Sequence, residues 1–451
     1  MTTLVRSRYL LVSPHAYRGP DGRAVRMAYA TRRARLFTVD EDTAAALSSG
    51  DLARIDEPEL TRLRSLQAVV DADEDELAGV LGGYRSGSTD PGARGFTIMP
   101  TSYCNMACDY CGQEHYKAAV DERKVERTTA RVLAAIADPG TRSVSVTWFG
   151  GEPLLALRVV RQMSHAFVAA ADAAGKPYSA RMPTNGSLLT ARTLRVLHDE
   201  CRLTALEVTI DGPEKLHDQR RVKRNGIGSF HRTMAVLGQA VREGAVPRTR
   251  ISIRVNVDVG NEDAVDDLLV DLACCGLSGP TVEVNLMPVH SWGNDVSAVE
   301  VEARRFAARE IDWLRRARLL GLGFAAPPKV VRRTTCRATS TYGEIIDSAG
   351  RVYSCSEHPL VPGARDTGVV ATLADLAGSA PRPAGSYDDW YDQVGDARQQ
   401  CGRCPLLPVC GGACPKLWRE GHVPCPSMRH NWAGRLDLEA ERSGLRPVEA
   451  G

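Results

Sequence analysis

The chain has 451 residues, with 57 basic and 55 acidic side chains, a formal net charge of +2, 43% hydrophobic and 25% charged residues. Those fractions fit a globular chain and exclude collagen-like, mucin-like and wholly disordered polymers, while the charge balance provides no global field toward nucleic acid or anionic lipid. The longest apolar runs fall well short of the roughly 20 residues that span a bilayer, and the charged, Pro-containing start MTTLVRSRYLLVSPHAYRG lacks the apolar stretch of a signal peptide, so the expected location is cytoplasmic, with no membrane and no nucleic acid as partner.

Residues 1–90 read as a small separate unit. RYLLVS, AVRMAYAT and ARLFTVD alternate apolar and polar residues as strands do, with GPDG as the turn between the first two. Asp40 is placed to cap a helix that Gly50 closes, a second helix follows Pro58, and a third runs DEDELAGVLGGY. Three strands and three helices suit a winged-helix-like module. Residues 85–95, RSGSTDPGARG, read as a linker.

From Gly95 the rhythm changes. FTIMP, SVSVTWF, PYSARMPT, ALEVTID, RISIRVNVD and TVEVNLMP are six β-rich runs separated by helix-compatible segments, the pattern of βα units on a parallel sheet. The span is short for a complete eight-unit barrel of about 250 residues, so an α/β fold built on a partial (β/α)6 TIM-type barrel is expected over 91–322. Beyond it, 323–435 is dense in Cys, Pro and Gly and is expected to be held by metals more than by an apolar core. Residues 436–451 read as a tail.

Of 13 cysteines, ten fall in two groups. Cys201, Cys274 and Cys275 stand outside and read as small buried hydrophobes. In a reducing compartment clustered thiols are metal ligands or reactive groups. Cys104, Cys108 and Cys111 form C-x3-C-x2-C directly after the first core strand. Three thiols leave one iron of a cubane cluster open, whereas a structural zinc site closes with four ligands.

That triplet, with Tyr110 before its third cysteine, resembles the signature of the radical S-adenosylmethionine (SAM) superfamily. The resemblance continues through TWFGGEPLL, MPTNGSLL and VTIDGPEKLHDQRR at successive strand ends. It implies a [4Fe-4S] cluster on Cys104, Cys108 and Cys111 whose open iron chelates SAM, and reductive cleavage of SAM to a 5′-deoxyadenosyl radical. It also implies SAM contacts by Gly150, Gly151 and Glu152 (to the ammonium), Thr184 and Asn185, Asp211 (near the ribose), Tyr110 and Asn256.

The second group, Cys336, Cys355, Cys401, Cys404, Cys410, Cys414 and Cys425, resembles the SPASM domain, which carries two auxiliary iron–sulfur clusters in maturases of peptides and proteins. The resemblance assigns Cys401, Cys404, Cys410 and Cys425 to an outer cluster, and Cys336, Cys355 and Cys414 to an inner one. Relatives use a further cysteine upstream of Cys336, where this chain has PPKVVRRTT, so the inner cluster is expected to have an open site, another ligand or a two-iron core. A zinc ribbon on Cys401, Cys404, Cys410 and Cys414 is the alternative.

Anaerobic sulfatase maturases, which this pattern also resembles, carry an aspartate directly after the cysteine matching Cys355. Here that residue is Ser356, followed by Glu357 and His358, the two acid–base candidates. The N-terminal unit resembles the leader-binding module of ribosomal-peptide maturases, which takes a leader as an added strand. The expectation is therefore a maturase that crosslinks or oxidises a precursor peptide, with a flavodoxin or ferredoxin as external reductant. The alternatives are a maturase of a folded protein, a peptide epimerase, and a non-catalytic iron–sulfur or zinc protein.

Overall fold

The six β-rich runs form six parallel strands in the computed structural model, which describes residues 3–19, 21–117, 121–324, 327–396 and 400–448. They are β1 (Ala93–Ile98), β2 (Ser143–Trp148), β3 (Tyr178–Thr184), β4 (Leu203–Thr209), β5 (Arg250–Val257) and β6 (Val282–Pro288), in the order β6-β5-β4-β3-β2-β1. Helices Glu122–Ala137, Leu157–Ala173, Phe230–Arg242, Val265–Cys274 and Ala303–Leu319 fill the connections or follow the last strand.

Alternation along the strands decides which face the helices cover. Val144, Val146, Ile251, Ile253 and Val255 are buried in the core cluster with Val132, Phe167, Leu237 and Leu268 from the helices. Ser145, Thr147, Glu207, Ser252 and Arg254 take the intervening positions. A parallel sheet buried on both faces reads as unbroken apolar strands; this alternation leaves the second face polar.

Three further strands continue the sheet past β1: β7 (Gly343–Ile346), β8 (Arg351–Tyr353) and β9 (Val369–Thr372). β7 runs parallel to β1 with Gly343 opposite Gly95, and β8 and β9 are antiparallel additions. The cysteine-rich region is thus joined to the core by backbone hydrogen bonds. A buried charge cluster reinforces the join. Arg131, on helix Glu122–Ala137, donates to both carboxylate oxygens of Glu344 at 2.7 and 3.0 Å, with Arg94 at 3.5 Å.

The N-terminal unit forms an antiparallel sheet of Leu10–Arg18, Ala24–Ala30 and Arg35–Asp40. Helix Glu41–Ser49 begins where the Asp40 side chain accepts from the Thr43 N–H and ends at Gly50, whose φ of 80° is left-handed. Helices Glu57–Ser65 and Glu76–Ser88 follow. An extra pair, Leu4–Arg6 with Val69–Asp71, is also present. Of the expected GPDG turn, Pro20 lies outside the described residues; Gly22 N–H donates to Gly19 O at 3.0 Å.

Two expectations about boundaries fail. Residues 85–95 are not a linker: helix Glu76–Ser88 takes the first four positions and β1 starts at Ala93. The segment is pinned because Gly87 lies against the backbone of Arg333, where a Cβ would sit 2.3 Å from its carbonyl oxygen. Residues 436–451 are not a loose tail either. Helix Met428–Arg442 crosses the expected boundary, and Arg446–Pro447 pairs with Tyr17 and Arg18. Leu436 and Ala440 pack with Leu11, Tyr17, Met27 and Tyr29, joining the two ends of the chain. Among the three outlying cysteines Cys201 is buried as expected, Cys275 is half-buried, and Cys274 is exposed at the end of its helix. No helix among the described residues is long and apolar enough to cross a membrane.

Removing the charge of Glu344 strands two buried guanidiniums, so Glu344→Gln should destabilise the fold by about 3–5 kcal/mol in urea unfolding. Asp90→Asn breaks an exposed pair with Arg142 and should cost about 1 kcal/mol or less in the same assay.

Candidate functional site

The loop carrying the first three cysteines is held as a short ribbon. Met106–Cys108 pairs antiparallel with Arg221–Lys223, placing Cys108 opposite Arg221. Arg224 extends the ribbon, donating from its backbone to Asn105 O at 3.0 Å and from Nε to Cys104 O at 3.2 Å.

The turn after β2 closes on the loop from the other side. A Cβ at Gly150, whose φ is 122°, would lie 2.4 Å from Thr101 O, and one at Gly151 would lie 2.3 Å from Tyr103 O. Only bare backbone fits there. Glu152 donates its N–H to Tyr103 O at 2.9 Å. Its fully buried carboxylate accepts from Leu154 N–H at 3.0 Å and the Thr184 hydroxyl at 2.8 Å through Oε1, and from Asn185 N–H at 2.7 Å through Oε2. Burial raises its pKa, and those three donors oppose the rise. Glu152 thus ties the ends of β2 and β3 to the thiol loop.

Asn185 completes this side. Its Nδ2 donates to Asn105 Oδ1 at 2.9 Å and reaches Cys104 Sγ at 3.8 Å, where Met106 N–H also donates at 3.4 Å.

At the end of β4, Asp211 is fully buried. It accepts Asn256 N–H at 2.8 Å on Oδ1 and the Tyr110 hydroxyl at 2.5 Å on Oδ2, with Arg221 3.4 Å away. Tyr110 oxygen also accepts from Arg221 and, at 3.0 Å, from Asn256 Nδ2. Asp211 therefore anchors Tyr110. Asn261 bridges the Asp211 and Asn256 carbonyls at 2.7 and 2.8 Å. Sequence reasoning missed Asn105, Arg221, Arg224, Asn261 and His217; the basic run RRVKR after the IDGP turn was the available signal for two of them.

The clustered thiols are largely withdrawn from water. Burial pushes Cys108 up to about 11 and Cys401 up to about 12, and raises Cys104, Cys111, Cys336, Cys355 and Cys414. Thiolates in such places need a compensating positive metal charge. Among the described residues the side chains are not gathered around a single ion-sized point; a cubane spreads its thiolates over separate irons. Cys104, Cys108 and Cys111 lie in one another's electrostatic range, as do Cys336, Cys355 and Cys414. Cys401, Cys404, Cys410 and Cys425 line one small cavity with Leu406 and Leu407.

The two acid–base candidates separate. Glu357 has Gln113 within hydrogen-bond reach and faces Lys416 and Arg254; burial raises its carboxyl and these groups oppose the rise. His358 is buried, with Nε2 3.4 Å from the Tyr387 hydroxyl and its ring against Gly368.

Residues 98–270 match the model of the radical SAM superfamily. This part of the chain is a radical SAM domain, the protein is an enzyme of that superfamily, and the domain's cofactors are a [4Fe-4S] cluster and SAM. The chain is 23% identical over 331 residues to a serine-type anaerobic sulfatase-maturating enzyme of Klebsiella aerogenes, covering 69% of this chain and 77% of that protein. An uncharacterised protein of Synechocystis is 34% identical over 146 residues, 30% of this chain and 35% of that one. Among solved structures, native anSMEcpe with bound AdoMet and Cp18Cys peptide superposes with a TM-score of 0.57 at 14% identity, over 78% of this chain and 97% of that chain.

Glu152→Gln places an amide N–H against a donor, costing about 1–3 kcal/mol. The loss should appear in thermal unfolding of the protein without SAM; a fall in SAM affinity by calorimetry with unaltered unfolding would instead mark a direct contact. A pH effect comes from His217, whose Nδ1 accepts Asp211 N–H at 3.2 Å while Nε2 meets Ser229 Oγ at 3.1 Å. Burial, then the Arg221 charge, lowers its pKa to about 3, below the unfolded value of about 6.5. Between these values the unfolded chain binds a proton that the native one does not, so this contribution is full above pH 6.5 and falls by about 1.4 kcal/mol per pH unit below it. His217→Gln should flatten that slope in urea unfolding between pH 6.5 and 5.

Proposed function

We propose that this enzyme is a maturase that removes two hydrogens from a ribosomally made peptide, joining side chains in a carbon–carbon or thioether crosslink. One observation carries the reading. Beyond what burial does, the charge of Glu357 raises Cys111 of the SAM loop as well as Cys355 and Cys414 of the inner set. One carboxylate is thus within electrostatic reach of both thiol sets.

When bound, the cluster and SAM supply a carbon radical that takes one hydrogen atom from a substrate. Backbone at Gly150 and Gly151, with Thr184, Asn185, Tyr110 and Asn256, surrounds the space in which SAM would lie. The remainder of a two-hydrogen oxidation is a proton and an electron. Glu357 is placed to take the proton. Cys336, Cys355 and Cys414 would hold an auxiliary iron–sulfur cluster as the electron acceptor, and Cys401, Cys404, Cys410 and Cys425 a second one, exchanging electrons with a flavodoxin or ferredoxin in the cytoplasm.

Residues 1–90 would capture the peptide's leader. Strand Arg35–Asp40 pairs with Ala24–Ala30 along one edge, and no strand among the described residues pairs with its other edge, the arrangement that accepts an added strand.

A second reading, oxidation of a serine or cysteine in a sulfatase-like protein, is favoured by the Klebsiella relative and by Glu357 standing one position beyond the aspartate expected in that line.

Mass spectrometry of a neighbouring precursor peptide co-expressed anaerobically tests both. A loss of two hydrogens, absent with the Cys104→Ala, Cys108→Ala, Cys111→Ala variant, supports oxidation. Suppressed fragmentation between two residues identifies a crosslink, whereas labelling by a hydrazide identifies an aldehyde and the second reading. An unchanged peptide alongside deoxyadenosine formation contradicts the crosslink for that peptide. Glu357→Gln should slow the two-hydrogen loss by about 100-fold or more while SAM cleavage persists.

A further inference from the structure

Six arginines with no carboxylate within ion-pair distance among the described residues line two adjoining cavities. One cavity, of about 640 Å3, lies beside the N-terminal unit and includes Arg33, Arg35, Arg332 and Arg333 in its wall. A second, of about 770 Å3, lies on the polar face of the parallel sheet and is lined by Arg332 and Arg333 again, then by Arg337 and Arg181, next to Cys336. The two spaces adjoin at these shared residues. Helix Glu76–Ser88 walls both, contributing Ser86 to one and Gly87 to the other.

The charge in these cavities is one-sided. Among the described residues no Asp or Glu lines the first cavity, and the second has only Asp90, which pairs with Arg142 at 2.6 Å. Arg32 and Arg94, which also line the walls, are paired with Glu74 and Glu76 and with Glu344. The other six have no carboxylate within ion-pair distance among the described residues. At the inner end, Arg181 Nε and Arg337 Nη2 both donate to Thr147 Oγ1, at 2.9 and 3.3 Å. Two guanidiniums sharing one hydroxyl are like charges held together. The first core strand makes room for them: a Cβ at Gly95 would fall 1.6 Å from Arg337 Nη1. An anionic cluster on Cys336 would offset Arg337 and leave the other five unmatched.

We propose that this pair of arginine-lined cavities takes an acidic segment of the substrate peptide, with Arg33, Arg35, Arg332 and Arg333 guiding it from the N-terminal unit and Arg181 with Arg337 receiving a carboxylate beside Cys336. The proposal rests on the peptide-maturase reading and adds to it the chemistry of the peptide. Planar guanidiniums match carboxylates in a two-pronged geometry, and an unpartnered row of them gains most from a ligand that brings the missing charge.

The test is fluorescence anisotropy of the full-length, anaerobically iron-loaded protein with three labelled peptides of equal length, repeating Glu-Gly, Gln-Gly or Lys-Gly. The Glu-Gly peptide should bind at least about tenfold more tightly than Gln-Gly, and added salt should weaken it. The Arg332→Glu, Arg333→Glu variant, with iron content equal to the parent, should lose about tenfold toward Glu-Gly and gain affinity for Lys-Gly. That gain cannot come from misfolding. Equal binding of Glu-Gly and Gln-Gly, or a charge-reversed variant with the parent's preference, would overturn the proposal. The two readings fail separately. Binding of acidic peptides with no peptide ever modified leaves the arginine site standing and removes the maturase, while modification of a peptide whose binding ignores these charges does the reverse.

Discussion

A carboxylate sealed from water has to find its hydrogen bonds inside the protein, and the site depends on how Glu152 does so. Its oxygens accept from Leu154, Thr184 and Asn185, and its own N–H reaches Tyr103. Those bonds fix the ends of two parallel strands and the start of the thiol loop relative to one another. Asp211 repeats the device further along the same sheet edge, fixing Tyr110 and Asn256. Buried acceptors are costly unless fully satisfied, so each one specifies a single arrangement of the loops around it. The cysteines are thereby presented by a framework set before any iron arrives.

The same economy joins the units. Glu344 between Arg94 and Arg131 locks the cysteine-rich region to the first core strand, and Asp437, accepting from Tyr17 and 2.9 Å from His15, locks the C-terminal helix to the N-terminal sheet. Thiols drawn from distant parts of the chain are brought within reach of one carboxylate, Glu357 acting on Cys111, Cys355 and Cys414.

Much of this was legible in the sequence. All six core strands were, because they are short β-rich runs, several of which, such as SVSVTW and RISIRVNV, alternate Val and Ile with polar residues. Asp40 and Gly50 marked their helix because capping chemistry is local. The three thiol sets were visible as spacings. Residues 85–95 were misread because Gly and Ser signal a flexible linker, whereas Gly87 is small to admit the backbone of Arg333. The last residues were misread because the partners of Leu436 and Ala440 lie more than 400 positions away in strands near the N-terminus. The inward roles of Glu152 and Asp211 were equally hidden, since a sequence shows a carboxylate but not whether water reaches it. The arginines were visible only as ordinary surface charge until the fold placed six of them around two adjoining cavities.

The central claim is that three separate thiol sets hold iron–sulfur clusters. Iron counting with Mössbauer spectroscopy on anaerobically prepared protein tests it most directly, comparing the parent with alanine variants of each set: Cys104, Cys108 and Cys111; Cys336, Cys355 and Cys414; Cys401, Cys404, Cys410 and Cys425. The account predicts that each variant loses its own cluster, about four irons for a cubane, and keeps the spectra of the other two. A zinc ion in place of iron on the last set, or an iron content unchanged by removing the second set, would contradict it.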